Sequence, residues 1–137
     1  MKSTDNPSFN FNDLITQAKE VCRRAYAPYS KFKVGAALLT SSGAVFTGCN
    51  VENASYGATL CAERNAVAAA VAAGEKDFVA LAVVAGDGSY AFPCGICRQV
   101  LSEFNQDITV ILSNAQGQIM RFKLTDLLPH AFDLNSK

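Results

Sequence analysis

Three stretches of this chain, residues 34–39, 78–85 and 108–112, are apolar runs with almost no polar residue to alternate against. A strand with one wet face alternates with period two; a strand without alternation is buried on both faces. The chain therefore needs helices on both sides of one sheet. Three segments supply them. From Phe11 the apolar residues fall at Phe11, Leu14, Ile15, Ala18, Val21, Cys22 and Ala25, a helical spacing, with Pro28 as the expected stop. Leu60 to Ala73 is Ala-rich and stops at Gly74, and Gly95 to Phe104 follows Pro93. Val45 to Cys49 returns after the Ser41-Ser42-Gly43 turn as the second arm of a hairpin. Ile119 to Leu124 follows the turn from Asn114 to Gly117, and Leu127-Leu128-Pro129 then closes the ordered run. The order α-β-β-α-β-α-β-β contains strand-helix-strand units, which favour some parallel pairing with right-handed crossovers. The expected fold is a three-layer α/β/α sandwich on a mixed five-stranded sheet. At 137 residues the chain holds one domain, expected over 10–134, with a loose arm at 1–9 and a short tail at 135–137.

Composition narrows the function classes. Half the residues are hydrophobic and 18% are charged, which excludes disorder for the bulk of the chain. Twelve Lys and Arg balance twelve Asp and Glu, so nothing draws the protein electrostatically to nucleic acid or to an acidic membrane. No apolar run reaches membrane-spanning length, and residues 1–10 carry no signal-peptide core, so a cytoplasmic location is expected. Structural disulfides are rare there. The five cysteines, Cys22, Cys49, Cys61, Cys94 and Cys97, then read as thiols or metal ligands. The helix from Leu60 is polar only at Glu63, Arg64 and Asn65 and apolar on every face beyond them. Either another subunit covers what one sheet leaves open, or alanine is there as a good helix former.

The chemistry lies in Cys61-Ala62-Glu63 and Pro93-Cys94-Gly95-Ile96-Cys97. A lone CxxC is redox, metal-binding or accidental. Here a third cysteine stands 33 residues upstream, also at a helix start. Positive helix ends favour thiolates, and thiolates bind zinc. Structural zinc takes four protein ligands, whereas catalytic zinc takes three and leaves a position for water. Cys22 falls in the apolar stripe of the first helix, and His130 follows Pro129 near the C-terminus. Cys49 ends a strand and can either reach the metal or be buried in the sheet. With nothing else at ligand spacing, the reading is three ligands and an open fourth position. Glu63, two residues after a ligand, can exchange protons with a bound water; otherwise it is an exposed Glu favoured by the helix dipole.

At these residues the chain resembles the small, homotetrameric class of cytidine deaminases. The resemblance runs from about Ala25 to Phe132. It rests on Pro28-Tyr29-Ser30-Lys31-Phe32-Lys33-Val34-Gly35-Ala36-Ala37, Asn50-Val51-Glu52-Asn53-Ala54-Ser55-Tyr56, Cys61-Ala62-Glu63-Arg64, Pro93-Cys94-Gly95-Ile96-Cys97-Arg98-Gln99, and Leu127-Leu128-Pro129 before Phe132. It implies one zinc per subunit on Cys61, Cys94 and Cys97, and hydrolysis of cytidine and 2′-deoxycytidine to uridine and 2′-deoxyuridine. Glu63 is then the proton carrier, and Arg64 draws charge from the thiolates. Asn50 and Glu52 grip the ribose 3′-hydroxyl, Phe32 packs on the base, and Tyr29 and Tyr56 border the pocket. Phe132 stacks on the pyrimidine in a neighbouring subunit, so that active sites are shared within the tetramer. Pathways using free nucleosides, that is pyrimidine salvage, fit this reading. The rivals are a related small-molecule deaminase such as one acting on blasticidin S, a nucleic-acid cytosine deaminase, and a non-catalytic zinc-stabilised interaction module in which Cys49 completes four thiolates.

Overall fold

The structure is a computed structural model that describes residues 10–134; the expected arm at 1–9 and tail at 135–137 lie outside the described residues. Its elements run α1 (Phe11–Cys22), β1 (Val34–Thr40), β2 (Val45–Cys49), a 3₁₀ turn (Tyr56–Ala58), α2 (Ala62–Ala72), β3 (Phe78–Ala85), α3 (Gly95–Ser102), β4 (Thr109–Ser113), β5 (Ile119–Lys123) and α4 (Leu124–Leu127). The five strands form one sheet in the order β2-β1-β3-β4-β5. β3 and β4 are parallel and the other neighbours are antiparallel, which is the expected mixed sheet.

The three unalternating runs are the three interior strands, β1, β3 and β4. The edges, β2 and β5, are the strands that show polar faces. On one side Leu14, Ile15, Ala18 and Cys22 of α1 pack on Ala37, Leu39, Ala80, Ala82, Val84 and Ile111. On the other, α2, α3 and α4 cover Ala36, Leu38, Leu81, Val83, Val110 and Leu112. Odd and even residues of the same strands thus serve opposite layers, as the pleat requires. Two glycines set the layer spacing at the β1–β2 edge. A Cβ on Gly35 would lie 2.1 Å from the Ala18 carbonyl oxygen of α1, and one on Gly48 would lie 2.5 Å from both the Ala62 oxygen and the Ala66 nitrogen of α2. Each helix sits where only hydrogen fits beneath it.

Three boundaries differ from expectation. α1 ends at Cys22, well before Pro28, because residues 23–33 turn away to bridge Tyr26 to Val51 and carry the chain to the sheet edge. α2 starts at Ala62 rather than Leu60, since Leu60 pairs with Val51 in an isolated bridge. The chain after β5 forms the short α4, with Leu124 in the core, and beyond Pro129 the backbone of Phe132 is still held, by Gln99. α2 itself is buried on one face only, through Ala62, Glu63, Ala66, Val67 and Ala70, while Ala68, Ala69 and Val71 are exposed in the single chain.

Candidate active site and metal centre

Cys61 and Cys94 are the N-cap residues of α2 and α3, and Cys97 lies in the first turn of α3. Both helices start at the same end of the sheet and on the same face, so the three sulfurs converge within 4.8 Å of one another. Cys61 Sγ is 3.8 Å from Cys94 Sγ, which is 3.6 Å from Cys97 Sγ. Tetrahedral zinc with Zn–S bonds of about 2.3 Å needs sulfurs about 3.8 Å apart, so this spacing is that of a zinc site. Neither cap sulfur accepts from a backbone N–H of its own helix, which leaves the first-turn N–H groups and the positive helix ends facing the cluster.

The cluster already stabilises negative charge. A hydrogen bond from the Cys97 thiol, aided by the Arg64 guanidinium and the Cys94 thiol, lowers the Cys61 pKa to about 5. Cys97 is correspondingly raised, because it donates to Cys61 and is fully buried. Arg64 Nη2 lies 3.6 Å from Cys61 Sγ and donates to the Thr59 carbonyl oxygen at 3.3 Å. Its Nε is buried with no hydrogen-bond partner. The Nη2 donor facing the Cys61 sulfur is more favourable beside a metal-bound thiolate than beside a neutral thiol, which is a second indication that the donor set fits zinc.

Glu63 is not the exposed helix-start carboxylate that its position allows. It is 5% exposed, and burial raises its pKa to about 7, with the Cys61 charge acting in the same direction. It lines a cleft of about 350 Å³ together with Phe32, Val34, Asn50, Cys61, Tyr90 and Cys94. A buried carboxyl that titrates near neutrality beside a metal centre can take up and release protons at working pH.

The residues expected at the sugar fall into two groups. Asn50 is buried and spans the β1 entry: Nδ2 donates to the Phe32 carbonyl oxygen at 2.8 Å and Oδ1 accepts from the Val34 N–H at 2.8 Å. It therefore fixes the backbone that aims Phe32 at the cleft. Glu52 lines an adjoining hollow with Tyr29, Asn53 and Tyr56. Its carboxylate accepts from the Tyr29 N–H at 3.0 Å, the Ser30 N–H at 3.1 Å and the Ser30 hydroxyl. Those bonds, the Ser30 hydroxyl first, hold its pKa below the usual range. Tyr56 is 82% exposed in the single chain. Phe132 is exposed and stands outside the lining of the cleft.

Cys49 does not join the cluster. On β2, Phe46 packs into the α2 side and Gly48 faces Ala62 and Ala66, whereas Val45 packs into the α1 side. Alternation puts Cys49 with Val45, toward α1, close enough to Cys22 to add to the burial that pushes the Cys22 thiol up. The sheet separates it from the other three thiols, so the four-thiolate reading loses its fourth ligand. Among the described residues the metal-binding group is Cys61, Cys94 and Cys97 alone. Sequence reasoning missed Arg98 and Gln99 as braces. Arg98 bonds the Pro93 and Leu127 carbonyl oxygens at 2.7 and 2.8 Å, and Gln99 bonds the Phe132 backbone. Their sequence signal is their place directly after Cys97, in the block that carries the resemblance, and it gives neither of them a role.

Known proteins are similar to this chain over most of its length. Residues 10–113 match the family model of the cytidine and deoxycytidylate deaminase zinc-binding region. A cytidine deaminase of Sporosarcina psychrophila is 49% identical over 87% of this chain and 88% of its own length. One of Mycobacterium tuberculosis is 46% identical over 94% of each chain. The crystal structure of cytidine deaminase from Burkholderia pseudomallei, 50% identical, superposes with a TM-score of 0.86 over 90% of this chain and all of that one. The fold is thus shared with that solved structure, and the chain belongs to the cytidine and deoxycytidylate deaminase family, whose matched region is zinc-binding.

Proposed function

We propose that this enzyme hydrolyses cytidine and 2′-deoxycytidine to uridine and 2′-deoxyuridine with release of ammonia. The observation that carries the mechanism is the buried Glu63 carboxyl, titrating near pH 7 in the same cleft as the thiol cluster. Zinc held by Cys61, Cys94 and Cys97 supplies the Lewis acid that activates the water consumed in the reaction. Glu63 would take one proton from that water and deliver it to ring nitrogen 3 as the water oxygen adds to carbon 4, and would then move the second proton from the new hydroxyl to the amine, which leaves as ammonia while the carbonyl of uridine forms. One carboxyl group serves as base and acid because its pKa lies close to the working pH. Arg64 and the two helix ends hold the excess negative charge of three thiolates, which would otherwise weaken activation of water.

Phe32 forms one wall for the base, fixed through Asn50. A carboxylate offers about four lone-pair sites. Three at Glu52 are taken by Tyr29 and Ser30, which leaves one for a sugar hydroxyl on a rigidly held acceptor. The second N–H of Asn50 is the matching donor, and Tyr56 closes the rim. A negative charge at this point also opposes a phosphate, favouring a free nucleoside and hence a salvage role. Phe132 completes the base site of a neighbouring copy in a homotetramer. The exposed apolar face of α2 and the exposed Tyr29, Tyr56 and Phe92 around the cleft support such an assembly. Among the described residues no helix is long and apolar enough to cross a membrane. A site built on reduced thiols suits the cytoplasm.

The test is loss of the ultraviolet absorbance of cytidine on conversion to uridine. Cytidine should be used and free cytosine should not, because the sugar contacts help to orient the ring as well as to bind it. Equal use of cytosine refutes the ribose grip, and failure to turn over cytidine refutes the activity. Mixing Glu63→Gln with Phe132→Ala subunits should give hybrids more active than either parent; activity at the weighted mean, with exchange verified by mass spectrometry, refutes sharing.

A further inference from the structure

Phe132 combines an unsheltered ring with a firmly held backbone. The residue is 68% exposed, so it is not placed by burial, the force that normally fixes a phenylalanine. Yet both of its backbone polar groups are held by one side chain. Gln99 Nε2 donates to the Phe132 carbonyl oxygen at 2.8 Å, and the Phe132 N–H donates to Gln99 Oε1 at 3.2 Å. A planar amide that engages the N–H and C=O of one residue fixes it much as a neighbouring strand would. Gln99 belongs to α3, two residues after Cys97. Between them, Arg98 ties the Leu127 carbonyl oxygen at the end of α4 and the Pro93 carbonyl oxygen before Cys94. Three consecutive residues of one eight-residue helix thus hold a metal thiol, the last turn of α4 and the backbone of Phe132.

We infer that Gln99 is a positioning residue: it presents the Phe132 ring outward from the metal-bearing helix, at a set distance from the thiol cluster, for use at the cleft of a second copy. The inference rests on the proposed role of Phe132 as a wall of a neighbouring site. It adds the device that lets an exposed ring serve as such a wall. Without the amide clip the ring would sample many orientations, and substrate binding would have to order it at the expense of affinity.

The chain contains no tryptophan, so Phe132→Trp places a single indole at the end of the clip. The zinc-loaded full-length protein is measured with and without Gln99→Leu, which removes both bonds and keeps an apolar chain of similar size. Gln99→Met is a second variant. Expected are a faster local component in time-resolved anisotropy of the indole, unchanged zinc content, and a KM for cytidine raised roughly two- to tenfold with kcat little altered, the range that a stacked ring contributes. In a Phe132→Ala background Gln99→Leu should change KM no further. In the unaltered protein the Phe132 amide should exchange slowly with solvent, a reading that needs no variant. Unchanged anisotropy, a fast-exchanging Phe132 amide, or a KM effect of Gln99→Leu that persists in full without the Phe132 ring would overturn the inference. If Phe132→Ala alone leaves KM unaltered, the proposed wall fails, and the clip is then judged by anisotropy and exchange.

Discussion

Replacing Glu63 with Gln keeps the shape of a side chain that is 5% exposed and removes its ionisation. Burial raises the carboxyl pKa from 4.5 to about 7. The unfolded chain therefore releases this proton near pH 4.5, while the folded chain keeps it until about pH 7. Stability that is whole below the unfolded pKa is lost as pH rises through the folded one. At about 1.4 kcal/mol per unit, the cost to the wild type grows to about 3 kcal/mol above pH 7.5. The Gln side chain has no proton to lose and escapes this slope. Urea unfolding of both proteins at one fixed free zinc concentration, between about pH 5.5 and 8.5, should show Glu63→Gln more stable throughout. Its advantage should widen as pH rises across that range. The same variant should keep zinc and bind cytidine, yet lose roughly 10²–10⁴-fold or more in turnover, as expected for a general acid and base. A stability gap that is flat or narrows with rising pH refutes the burial argument. Near-normal turnover by the zinc-loaded variant refutes the proton-carrier role.

Cys94→Ala should lose zinc and fold less stably, because binding a metal on protein ligands also contributes to folding, whereas Cys22→Ala and Cys49→Ala should keep one zinc per chain; elemental analysis decides both. Arg64→Gln should lower kcat and speed zinc loss to a chelator, by about 10- to 100-fold in line with other residues that support metal ligands, and unchanged values would show that its contact with Cys61 is incidental. Gly48→Ala should destabilise by about 1–3 kcal/mol, since its methyl would meet the α2 backbone at 2.5 Å; an unaltered urea midpoint would mean that α2 is free to move away.

The layers could be read from the sequence because the strands with no alternation are those that have a neighbour on each side and a helix on each face. The zinc ligands could be read because Cys61 and Cys94 mark helix starts, where thiolates are favoured. What sequence could not show depends on how separate segments meet. The stop of α1 at Cys22 follows from the bridge between Tyr26 and Val51, not from a local breaker. α4 exists because Leu124 finds a core site next to Ile108. The sequence left open whether Glu63 was buried, since a glutamate in the first helical turn is commonly solvated. The exclusion of Cys49 needed the register of β2, in which a one-residue slip would have turned it toward the metal.

The local rules that this chain breaks lie close to one another. Cys61 and Cys94 occupy N-cap positions where Ser, Thr, Asp or Asn would each add about 1 kcal/mol, and neither sulfur caps its helix. Glu63 is a carboxyl buried at a cost in stability, and Arg64 holds a buried donor without a partner. Each feature alone is a small defect, and all of them face one cleft or its thiol cluster. They also compensate one another in chemical terms. Unspent N–H groups and the guanidinium favour thiolates, thiolates hold zinc, and the negative cluster together with burial keeps the Glu63 proton available near neutral pH. Replacing Glu63 with a neutral residue should raise stability and silence the site, whereas a better cap in place of Cys61 or Cys94 would forfeit the zinc and the folding energy it supplies. The opposition at Glu63 separates a catalytic centre from a structural zinc clamp, which would be more stable with a neutral residue in its place and would lose nothing by it.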